Sequence, residues 1–131
     1  MLRFAIALSL VATSGSASVE IINYRCAGVW TDDEAGDTKD VLQERLFAVD
    51  YLRNRIFYPA PVGQKLGDAC EGWISKCDVF TEGTTIGVVA ENYFGDSMMI
   101  GFDRPTGHLK LQKFTGSSTE LYYGYCVDIE S

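Results

Sequence analysis

The sequence predicts an all-β domain of about eight antiparallel strands in an up-and-down meander, curled into a small closed or partly closed barrel, with a β-sandwich as the alternative. Three observations lead there. Short segments rich in β-branched and aromatic residues recur between turn signals at short spacing. Several of those segments alternate apolar and polar residues with a period of two. Finally, the first and last segments each carry a cysteine, Cys26 and Cys126, and closure of a meander makes its first and last strands neighbours.

The elements follow in order. Ile21 to Thr31 reads as the first strand and runs into an acidic loop, Asp32-Asp33-Glu34-Ala35-Gly36-Asp37. Leu42 to Tyr51 and Arg55 to Tyr58 form a hairpin about Arg53-Asn54. A helix over Lys39 to Phe47 is the competing reading, but Leu46-Phe47-Ala48-Val49 leading into Tyr51 favours a strand. Two prolines and two glycines between Pro59 and Asp68 predict an irregular loop. Strands are then expected at Trp73–Phe80, Thr84–Asn92, Ser97–Asp103, His108–Phe114 and Thr119–Asp128. In the third of these, Met98, Ile100 and Phe102 share one face, opposite Met99, Gly101 and Asp103. Arg104-Pro105-Thr106-Gly107 is a strong turn signal, because proline presets one dihedral and glycine accepts the left-handed one.

Residues 1–17 read as a signal peptide and 18–131 as one disulfide-bonded β domain. Arg3 supplies the positive end, Phe4 to Ala12 an uncharged apolar run, and Thr13 to Ser18 a small-residue exit. The apolar run falls well short of the roughly 20 residues that span a bilayer, so the expectation is export to a periplasmic or extracellular space without a membrane span. Losing Arg3 would carry the net charge from −7 to −8. Such acidity disfavours phosphate backbones, hence nucleic acid, and favours a cationic protein partner through long-range steering.

Four cysteines in an exported chain read as two disulfides. Three pairings are possible. Local pattern favours Cys26–Cys126, joining the terminal strands, and Cys70–Cys77, clipping a loop to the next strand. A zinc site is disfavoured, since Cys-x-x-Cys pairs are absent and His108 is the only histidine.

No constellation reads as catalytic, and neither a cofactor nor a metal is expected. His108 follows the hairpin glycine and has no matched nucleophile motif. Asp32, Asp33 and Glu34 lack the ligand order of a calcium loop and read as solvated. Aromatics are the better binding candidates. Tyr122 and Tyr123 must point to opposite faces of their strand, so one of them leaves the core or lines a cavity. The candidate surface is therefore Trp30, Asp32, Asp33, Glu34, Tyr122 and Tyr123.

The opening Ile22-Asn23-Tyr24-Arg25-Cys26-Ala27-Gly28 and the closing Gly124-Tyr125-Cys126 resemble those of small exported β-barrel proteins of Gram-negative bacteria. The Tyr-x-Cys opening into a small eight-stranded barrel also resembles the periplasmic inhibitors of C-type lysozyme. That family's Ser-Gly-Ala-x-Tyr motif is absent here, so no functional residue is transferred. Two functions are expected from these readings: a non-enzymatic binding or inhibitor module acting on a cationic protein, or a lipocalin-like carrier of a small apolar ligand.

Overall fold

The computed structural model describes residues 21–34, 37–73 and 75–129, with the backbone alone at 34 and 37–39. The expected signal peptide lies outside these residues. The chain folds into eight strands: β1 (Ile21–Glu34), β2 (Asp37–Asp50), β3 (Arg55–Pro61), β4 (Lys76–Glu82), β5 (Thr85–Glu91), β6 (Ser97–Asp103), β7 (His108–Thr115) and β8 (Ser118–Asp128). All pair antiparallel in one sheet ordered β3-β2-β1-β8-β7-β6-β5-β4. The meander expected from the sequence is therefore present, curled into a half-barrel.

Alternation decides which side chains enter. Along β1 the even residues Tyr24 and Cys26 are buried while Arg25 and Ala27 are exposed. Along β8, Tyr122 and Cys126 point in, and Tyr123, Tyr125 and Val127 point out. The interior is filled by Tyr24, Phe47, Val49, Ile56, Val88, Ile100, Phe102, Leu109, Leu111 and Tyr122, each 5% exposed or less. Three rings interlock at its centre, with Tyr24 4.7 Å and Phe47 5.2 Å from Phe102 between centroids. Such ring pairs add about 0.5–1.5 kcal/mol each beyond the area they bury.

Both disulfides form as expected, Cys26–Cys126 and Cys70–Cys77. Cys26 and Cys126 stand directly opposite across the β1–β8 ladder, with Cα atoms 3.9 Å apart. Two residues on, Gly28 opposes Gly124. A Cβ on Gly28 would collide with the Tyr123 carbonyl, so this crossing of backbones requires glycine.

Three sequence expectations need correction. Asp32, Asp33 and Glu34 are not in a loop but complete β1, and Asp37 opens β2. β1 is paired on both sides, Asp33 with Thr38 and with Thr119, and two ladders override the weak strand propensity of acidic residues. Pro59 and Pro61 belong to β3 rather than to an irregular loop. β3 is an edge strand with a register shift between Leu46 and Ala48, where a missing N–H is tolerated. Trp73 precedes β4 instead of starting it, and packs against the core from the loop.

Between β3 and β4 no strand ladder forms among the described residues. The connecting loop occupies that opening. Tyr58 N–H donates to Gly67 O at 2.8 Å and Ala69 N–H to Ile56 O at 2.9 Å, so residues 67–69 run along the β3 edge. Cys70 then ties the loop to Cys77 on β4.

Candidate functional site

The structure divides the sequence-derived candidates between two faces. Trp30 and Tyr122 lie inside the curl, and Tyr123 lies outside. Asp32 is half-buried on the inner side, where it meets the Ser118 hydroxyl at 3.5 Å. Asp33 is exposed, and the Glu34 side chain lies outside the described residues.

The inner group converges on a residue that sequence reasoning passed over. Arg45 is 3% exposed because β2 turns its odd residues inward. Its Nε donates to Gln43 Oε1 at 2.7 Å and its Nη1 to Pro59 O at 3.0 Å, while Nη2 lies 3.6 Å from Glu120. The guanidinium also sits 4.7 Å from the Tyr122 ring centroid. Trp30 Nε1 donates to Glu120 Oε2, and Tyr122 Oη donates to Gln43 O at 2.9 Å. Burial, with Glu120 adding to it, pushes the Tyr58 hydroxyl up to about 12 against an opposing pull from Arg45. Burial likewise raises Tyr122, with Arg45 opposing. A buried cation whose donors are met in this way closes one end of the core rather than offering a vacant site.

That same end carries the most exposed aromatics. Tyr93 is 84% and Phe94 89% exposed in the β5–β6 turn. The turn is braced from within. Asn92 Oδ1 accepts from the N–H groups of Phe94 and Asp96, at 2.9 and 3.1 Å, and Asn92 Nδ2 donates to Asp96 Oδ2 at 3.1 Å. Asp96 Oδ1 accepts the Gly116 N–H at 3.1 Å, which fastens the tip to the β7–β8 turn. Gly95, at φ 86°, supplies the left-handed residue. The ladders bring the acidic end of the β1–β2 hairpin to this side too, since Glu34 opposes Ser118 and Thr115 opposes Ser118. Tyr93 and Phe94 fall between two predicted strands, and the sequence signal for them is an aromatic pair directly before the turn residues Gly95-Asp96.

On the outer face, an apolar strip crosses β2, β1 and β8 through Leu42, Val29, Tyr123, Tyr125 and Val127, all exposed. Val29, Tyr123 and Tyr125 of this strip, with Ala27 and Lys110, border a hollow of about 550 Å³ floored by Gly28 and Gly124. His108 borders this hollow, its ring 4.3 Å from Tyr125 and edge-on to it. At the opposite end, Asp103 lies below the usual carboxylate range because the hydroxyls of Thr106 and Thr84 donate to it. That contact fixes the β6–β7 turn.

Among the described residues no helix is long and apolar enough to cross a membrane, and no group of three or more His, Cys, Asp or Glu side chains is placed to hold a metal ion. Comparison with protein-family models, curated proteins and solved structures finds no match to this chain.

Proposed function

We propose that this chain is an exported, non-enzymatic binding or inhibitor module that acts on a basic protein partner. The observation that carries the reading is the tip of Tyr93 and Phe94, two exposed aromatic side chains on a turn whose backbone is braced through Asn92 and Asp96. A backbone ordered before contact loses little entropy on binding, and exposed aromatics carried on it serve as anchors. Glu91 and Asp33 are exposed at the same end, and the chain is strongly acidic, which favours a cationic target. Two disulfides fit an oxidising compartment, and with the layout of residues 1–17 they support periplasmic or extracellular export.

The filled interior weighs against the carrier reading, since rings of Tyr24, Phe47, Phe102 and Tyr122 occupy the space an apolar ligand would need. His108 is read as a surface residue packed on Tyr125.

Titration calorimetry against a C-type lysozyme and other basic proteins, at low and high salt, tests the proposal. Binding that weakens with salt and falls roughly 30-fold or more in Tyr93→Ala/Phe94→Ala is expected of a two-residue anchor. Absence of binding to every basic protein at low salt would sink the reading.

A further inference from the structure

We infer that the outer face of β1 and β8 is the contact between two copies of this chain, related by a two-fold axis along the β1–β8 seam. The ladders set two rows across the outer face. One runs Leu42–Val29–Tyr123–Lys110 and the other Glu44–Ala27–Tyr125–His108.

Each row is asymmetric in the same sense. The β1 positions are short, Ala27 and Val29, and the β8 positions are tall, Tyr123 and Tyr125. Glu44 stands on the β2 flank, while His108 and Lys110 stand on the β7 flank. A two-fold axis along the seam exchanges β1 with β8 and β2 with β7. Ala27 then faces Tyr125 of the second copy, Val29 faces its Tyr123, and Glu44 faces its His108 beside its Lys110. Short meets tall in both rows; acid meets base in the second, and in the first Leu42 meets the aliphatic stem of the second copy's Lys110, a pattern that matches itself as an isologous interface demands.

The hollow supplies the space. About 550 Å³ lies open over Gly28 and Gly124 beside Ala27 and Val29, where a tyrosine of the second copy would seat. The two tyrosines are already backed from β7: the Tyr125 ring lies 4.3 Å from His108, and Lys110 Nζ is 5.8 Å from the Tyr123 centroid. With Tyr125 64% and Leu42 83% exposed, apolar surface runs across the three adjacent strands β2, β1 and β8, and sheets pack face to face readily through such layers. The salt bridge from Arg25 to Glu44, at 3.7 Å and half exposed, is worth too little to hold Glu44 back.

Sedimentation velocity and light scattering on the protein over a concentration series provide the test. The wild-type chain should dimerise. Tyr125→Glu should be monomeric, and so should Ala27→Arg, which fills the hollow from the β1 side; both positions are exposed, so folding is preserved. Glu44→Lys should weaken the dimer about tenfold, and Glu44→Lys/His108→Glu should restore it. Phe94→Ala, at the braced tip, should leave it unchanged. A wild-type chain that stays monomeric up to about 1 mM, or a Tyr125→Glu variant that still dimerises, overturns the inference.

Discussion

The seam between β1 and β8 and the opening between the β3 and β4 edges are bridged by opposite means. Between β1 and β8 a continuous ladder runs from Tyr24↔Asp128 to Glu34↔Ser118, with a disulfide spanning 100 residues lying inside it. Between β3 and β4 there is no ladder among the described residues, only a loop lying on the β3 edge and a disulfide spanning seven residues. At the first seam the covalent bond reinforces contacts that hydrogen bonding and packing already make. At the second it substitutes for them. A disulfide's contribution to global stability and its contribution to local order should therefore separate in this molecule.

Removing the long-range bond gives the largest effect. Cys26→Ala/Cys126→Ala is expected to cost about 4–5 kcal/mol in the chain-entropy model, read as a fall in urea midpoint, while protection of the β1 and β8 amides keeps its native ranking. The short bond should cost less overall, roughly 2.5 kcal/mol for Cys70→Ala/Cys77→Ala, but its loss should concentrate. Hydrogen exchange over residues 66–79 should then accelerate far beyond the global change, because among the described residues no strand ladder ties β4 to the loop. Uniform acceleration across both seams would abolish the distinction.

The smallest expected effect is acid sensitivity on the open side. Asp50 is fully buried at the β2–β3 turn. Burial pushes its carboxyl up, but the backbone and guanidinium of Arg53 and the backbone of Leu52 more than offset this, holding it below the ordinary 3.8. A depressed carboxyl stabilises the fold above its unfolded value and loses that contribution as pH falls through the folded one. Stability of the native chain should thus decline as pH falls below the ordinary carboxylate value of 3.8, with a shallower slope in Asp50→Asn. Equal slopes in the two proteins would remove Asp50 from the explanation.

The closed seam was the legible one. Cys26 and Cys126 sit in alternating segments, and neighbouring first and last strands follow once the meander is assumed. The open seam was not, because the pairing of Gly67 and Ala69 with β3 depends on where a Pro- and Gly-rich loop settles, and local signals only say that it turns. Asp32 to Glu34 predict a loop because acidic residues are depleted in strands, and the double pairing that holds them in β1 has no local signature. Arg45 shows the same limit in the core: an arginine in sequence reads as surface, and only its register with Cys26 and its bonds to Gln43 and Pro59 bury it. Of the binding candidates, the opposition of Tyr122 and Tyr123 followed from strand geometry, whereas the bracing of Tyr93 and Phe94 by Asn92 depends on turn geometry.

The strand order β3-β2-β1-β8-β7-β6-β5-β4 has one further consequence. Read from the β4 edge, the sheet is numbered consecutively except at a single junction, β8 to β1, where Ile129 N–H already reaches Asn23 O at 3.0 Å. A circular permutant joined there and opened in the loop before β4 would have every strand paired only with its immediate sequence neighbours. Its contact order would drop to that of a simple hairpin series, and folding should quicken accordingly. The two disulfides would also trade roles: Cys26–Cys126 would become a bond within one hairpin, and Cys70–Cys77 would become the long-range link.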